Sequence, residues 1–161
     1  MPNSRLLAAK NRLKQLDALR PPPLGALNAM SDALGLELPH SFRQVCDFFD
    51  GTGITSQALL AVRADEDPTG IAEQTVRYRE ELALPQGWLV LASADDSVWL
   101  LRCSQGKSSH SEEVCQVARQ ALAAWILGQS GEATRTWPDY LTFLEDVLRQ
   151  EEAQRSHPEL A

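Results

Sequence analysis

The chain has 161 residues, of which 43% are hydrophobic and 23% charged, the balance of a globular domain that can bury a core without disulfide or metal support. No apolar run approaches the ~20 residues of a bilayer-spanning helix, and charges interrupt the apolar positions of MPNSRLLAAKNRLKQLDALR, so a secretory h-region is missing. With an odd count of three cysteines, a cytoplasmic, reducing setting is expected. The net charge of −7 argues against a general nucleic-acid binder, which needs a basic face for phosphate. It suits a basic partner. The charge is also uneven: residues 1–20 carry Arg5, Lys10, Arg12, Lys14 and Arg20 against Asp17, so the acidity belongs to the rest of the chain.

Leu6, Ala9, Leu13 and Leu16 keep helical spacing and predict an amphipathic helix over 5–20, ended by Pro21-Pro22-Pro23. A second helix is expected over 24–34, with Gly35 just past its end. Pro39 starts a third, HSFRQVCDFF, with Phe42, Val45, Cys46 and Phe49 on one stripe and Asp50-Gly51 as its stop. Residues 56–62 read as a short strand and 65–70 as an acidic turn. A helix runs from Ile71 to before Pro85. WLVLA (88–92) and VWLLR (98–102) read as a hairpin about Ser93–Ser97.

Residues 103–111 are loop by composition, and 113–127 carries both strand and helix patterns. Residues 128–136 read as linker. Trp137-Pro138-Asp139 opens a last helix with Tyr140, Leu141, Leu144, Val147 and Leu148 buried and a Glu145/Arg149 pair outside. The tail beyond Arg149 is expected to fray. The fold class is therefore α+β: N-terminal helices, a central antiparallel β-meander and a closing C-terminal helix. Its core is expected to join Phe42, Val45, Phe49, Leu89, Leu91, Trp99, Leu141 and Leu144. The division expected is a basic helix and proline turn over 1–23, one domain over 24–150, and a tail over 151–161.

Catalytic patterns are weak. His40, His110 and His157 have no nucleophile placed beside them by any local signature, and Cys46 lies on an apolar stripe. Cys103, His110 and Cys115 supply three zinc ligands without a fourth. Phosphate-binding glycine loops are missing. Carboxylates come as adjacent pairs, whose side chains diverge on either kind of element, which is poor geometry for acid–base work. Neither metal nor cofactor is expected, and no enzyme activity.

One stretch carries more. LGALNAMSDALGLELPHSFRQVCDFFDGTGI (24–54) has a helix, a Leu-x-Leu-Pro step, an aromatic-bearing helix and Asp-Gly, through Leu36, Leu38, Pro39, Phe42, Phe49, Asp50 and Gly51. This resembles the opening of the SUKH superfamily, bacterial immunity proteins related to yeast cell-wall synthesis regulators. LPQGWLVLASADDSVWLLRCSQGK is similar to that family's central hairpin and TWPDYLTFLEDVL to its closing helix. The resemblance implies a non-enzymatic protein that binds and neutralises a cognate toxin, such as a basic nuclease or deaminase. It implies neither direct nucleic-acid nor membrane contact, and the free protein is expected to be a monomer. A regulatory or scaffold module of the same fold is the alternative. The acidic segments Asp65-Glu66-Asp67, Asp95-Asp96 and Glu112-Glu113 are the expected partner-binding residues, gathered at one end of the meander.

Overall fold

The computed structural model describes residues 4–62, 70–103, 112–128 and 133–156. Three helices come first: α1 (Ser4–Gln15), α2 (Ala26–Leu34) and α3 (His40–Val45). They are followed by α4 (Ile71–Leu82), the strands β1 (Trp88–Ser93), β2 (Ser97–Arg102) and β3 (Glu113–Ala118), a 3-10 turn over Arg119–Ala121, and α5 (Leu122–Ile126). The chain closes with β4 (Arg135–Trp137) and α6 (Tyr140–Ser156). The strands form an antiparallel sheet in sequence order, so the α+β meander expected from the sequence is present. Among the described residues, no helix is long and apolar enough to cross a membrane.

Both faces of the sheet are covered, which explains why WLVLA and VWLLR are apolar throughout rather than alternating. On one face Leu89, Leu91, Trp99, Leu101 and Val114 pack with α1, α2, α3 and α6; all eight expected core residues belong to this cluster. On the other, Trp88, Val90, Val98, Leu100, Cys115 and Val117 pack with Tyr78 of α4, Leu84 and Leu122. A bulge shifts the β1–β2 register between Val90 and Ala92. It places the consecutive Leu91 and Ala92 in the same cluster.

The ambiguity over 113–127 resolves by halves. Val114, Cys115 and Val117 alternate between faces as a strand must, whereas the helical spacing belongs to 119–126.

Several expectations are corrected. The first helix ends at Gln15, not at the prolines, because Asp17 takes a left-handed φ of 57° and turns the chain. Residues 56–62 form no named strand. Leu59 and Ala61 make only isolated bridges, to Ala92 and Gly70. The N–H of Leu60 donates to Leu91 O (2.9 Å) and that of Ser93 to Ala58 O (3.1 Å). The facing strand carries the bulge, and at Val90 its edge N–H donates to Thr75 Oγ1 (3.0 Å), so a regular ladder cannot propagate. The segment and α4 together cover the β1 edge.

The 128–136 linker holds the start of β4. Trp137 belongs to that strand and not to the last helix. Asp139 is the cap of α6: its carboxylate accepts the N–H of Thr142 at 2.7 Å. The Glu145/Arg149 pair does not form, since Glu145 binds Arg5 and Arg149 binds Asp146.

The expected fraying after Arg149 is overturned for residues 150–156, while 157–161 lie outside the described residues. α6 continues to Ser156 because its last turns are tied down. Glu151 is fully buried; it accepts the N–H groups of Thr55 (2.8 Å) and Ser56 (2.7 Å) and pairs with Arg155 at 2.8 Å. Arg12 forks onto Glu152 through Nε (2.9 Å) and Nη2 (2.6 Å), as Arg5 does onto Glu145. Both pairs step seven residues along each helix, so α1 and α6 run in the same direction. Ala9, Leu13 and Leu16 sit in the main core cluster with α6.

Asp50-Gly51 is a structural junction. The Asp50 carboxylate accepts the N–H of Thr52 (2.8 Å), and its carbonyl accepts the N–H of Val62 (2.9 Å). Gly51 has φ +98°, and a Cβ there would lie 2.4 Å from Leu60 O. Only glycine fits.

Candidate binding surfaces

The three cysteines are placed where a thiol reacts poorly. Cys46, Cys103 and Cys115 are all buried and free. Burial, with nearby carboxylates adding to it, pushes each thiol up to about 12. A thiol in that range is protonated and a poor nucleophile. His40 is exposed at the start of α3, while His110 and His157 lie outside the described residues. Cys103 and Cys115 fall in different core clusters, so they do not form the start of one metal site. Among the described residues no group of three His, Cys, Asp or Glu side chains could hold a metal ion.

The expected acidic surface is divided by the sheet register. Arg102 pairs with Glu113 and Ser97 with Ala118. The Asp95-Asp96 turn, next to Ser97, therefore sits at the opposite end of the strands from Glu112-Glu113. Five strand steps separate the two ends, about 17 Å. Glu112 is occupied internally: it accepts from Ser41 Oγ and from the N–H of Tyr140 (3.2 Å), tying β3 to α3 and α6. Glu113 faces Arg102 at 3.9 Å. Asp65, Glu66 and Asp67 lie outside the described residues. The four described carboxylates do not make one edge.

Asp95 and Asp96 remain as an exposed pair, with no hydrogen-bond or ion-pair partner for either carboxylate among the described residues. The turn that carries them is fixed from behind. The N–H of Ala94 donates to Ser97 O (2.9 Å) and that of Arg119 to Asp96 O (2.9 Å). The Arg119 guanidinium donates to Ala94 O through Nε (3.0 Å) and Nη2 (2.8 Å), and to Ser93 Oγ. Sequence reading found the acidic turn but not Arg119, which lies 23 residues beyond Asp96 and meets it only through β3 pairing. An arginine just past a strand that pairs with a hairpin is the signal that was there.

A second surface was not foreseen. Pro23 O accepts the N–H of Ala26 (3.0 Å), and Gly25 has φ 81° and ψ −6°. These are the marks of a type II turn with Leu24 at its first central position. Leu24 is 104% exposed. Beside it lies a groove of about 310 Å³, lined by the three prolines, Leu27, Cys46 and the charged pair Arg43 and Asp47. Proline before a Leu-Gly pair was readable as a turn; the groove was not.

Trp88, Trp99 and Trp137 are buried, and Trp125 is half-buried, edge-on to Trp88 with ring centroids 5.1 Å apart. No family model matches the chain, and no curated protein matches it.

Proposed function

We propose that this chain is an immunity protein that binds and neutralises a basic protein toxin by protein–protein contact, with Asp95 and Asp96 as first contacts. One observation carries this reading: two unpaired carboxylates stand at the tip of a hairpin that Arg119 holds in place. Unpaired charge at a fixed position attracts a complementary surface without an ordering cost at encounter. The net charge of −7 acts in the same direction at longer range. The resemblance of residues 24–150 to SUKH immunity proteins supplies the partner class, a nuclease or deaminase toxin with a basic, nucleic-acid-binding surface.

Neutralisation requires occupying or covering that surface, so the inhibitor needs binding chemistry and no turnover. Glu112 is left out of the contact because it is engaged inside the protein. The cytoplasm is the compartment where such an inhibitor acts on a toxin that reaches nucleic acid.

The test pairs the protein with a catalytically inactive toxin encoded beside its gene. The variant is Asp95→Lys with Asp96→Lys, checked first for an unchanged melting curve. Association should slow at least about tenfold at low salt, with the gap closing as salt rises. Unchanged association kinetics at low salt would refute the contact, and failure of the wild type to protect cells expressing active toxin would refute the function.

A further inference from the structure

We infer that the Leu24 turn and its neighbouring groove form a self-complementary interface through which two copies of this chain associate. Knob and groove lie on one patch. Leu24 projects wholly into solvent from a turn fixed by the Pro23–Ala26 hydrogen bond. Leu24 is itself one wall of the adjoining groove, which is about 310 Å³ and has Pro21, Pro22 and Leu27 among its other lining residues. That is room for a leucine side chain. A two-fold axis through such a patch sends each Leu24 into the other copy's groove, because in an isologous contact residue i meets j while j meets i.

The charges obey the same symmetry. Arg43 and Asp47 line the groove together, and neither side chain has an ion-pair or hydrogen-bond partner among the described residues. Arg43 is half-buried, and no carboxylate of the described residues pairs with it. Across a two-fold axis Arg43 of each copy faces Asp47 of the other, forming two equivalent pairs beside the leucines. Complementary charge of this kind fixes register.

The segment is also pre-organised. Three successive prolines fix their own φ, and each restricts the residue before it. Little conformational freedom is lost when Leu24 is covered. The contact is small, so the association belongs to the weak, concentration-dependent class. It departs from the monomer expected from the sequence, and it is independent of the toxin reading, since the test contains no toxin.

Sedimentation equilibrium on the purified chain tests it. The average mass should rise from 17.8 kDa toward twice that value as concentration increases from about 5 to about 500 μM. Leu24→Asp should weaken the dimer at least about tenfold. Arg43→Asp should weaken it similarly by opposing like charges, and Arg43→Asp with Asp47→Arg should restore it, a recovery that a structural defect would not give. Circular dichroism melts check that each variant is folded, and Leu24→Ser provides a milder knob variant. A monomeric wild type throughout the range overturns the inference. So does a dimer that ignores Leu24→Asp, or a charge swap that fails to restore association.

Discussion

Replacing Glu151 with glutamine should cost a large fraction of the stability of this protein at neutral pH, and less in acid. Glu151 is buried to 0% exposure on the last helix. Burial alone would push its carboxyl up. The hydrogen bonds from Arg155, Ser56 and Thr55 together outweigh that and lower it from 4.5 to about 2. At about 1.4 kcal/mol per pKa unit, the depression corresponds to about 3 kcal/mol favouring the folded, ionised form. Arg155 is 42% exposed, so solvent screens its share, and about 2–3 kcal/mol is the working figure.

Glutamine keeps the shape and one acceptor for the Thr55 and Ser56 N–H groups. It turns the second oxygen into a donor facing Arg155 Nε. The sign follows from a folded-state pKa below the unfolded one. The contribution is complete above about 4.5 and is lost as pH falls through 4.5 toward 2. Urea unfolding at pH 7 should therefore show Glu151→Gln less stable by about 2–3 kcal/mol, and the gap should shrink at pH 3. A loss below about 0.5 kcal/mol at pH 7, or one that does not change with pH, would refute the reasoning.

Gly51→Ala should destabilise by about 2–4 kcal/mol, read as a lower urea midpoint at unchanged slope, because a Cβ would meet Leu60 O in a left-handed backbone. Arg12→Ala should cost at most about 1 kcal/mol, with the difference from wild type fading in molar salt, since both members of the Arg12–Glu152 pair are partly exposed. Arg119→Ala should leave the fold intact while the N–H of Ala94 exchanges faster with deuterium, because the clamp behind the acidic turn is gone. The three thiols should resist alkylation in the native protein at pH 8 and react together on unfolding, as thiols raised to about 12 and buried must.

The core was legible because its signals are local. Phe42, Val45 and Phe49 repeat at helical spacing, and Leu89, Leu91 and Trp99 sit in short apolar runs bounded by turns. The misread elements depend on distant partners. Residues 56–62 look like a strand, but a bulge across from them permits only isolated bridges. EEAQRS is polar enough to fray, yet Thr55, Ser56 and Arg12 hold Glu151 and Glu152 from about 95 to 140 residues away. The acidic surface failed as a single edge for a related reason. Pairs of carboxylates are visible in a sequence, whereas the register that sends Glu113 to the far end of the sheet from Asp96 is not.

The parallel contact of α1 with α6 also dictates when this protein can begin to fold. The apolar stripe of Ala9, Leu13 and Leu16 leaves the ribosome well before the helix that bears Leu144, Val147 and Leu148. Until then the first helix has only part of its packing surface, and both arginine forks lack their acceptors. The three-stranded meander, whose contacts are local, can form meanwhile. Closing the α1–α6 contact then demands a loop of 140 residues between the paired side chains, the step with the largest entropy cost. During synthesis the protein must wait with its opening helix incompletely buried, and the rate of that last docking sets how long an aggregation-prone stripe stays open to other chains.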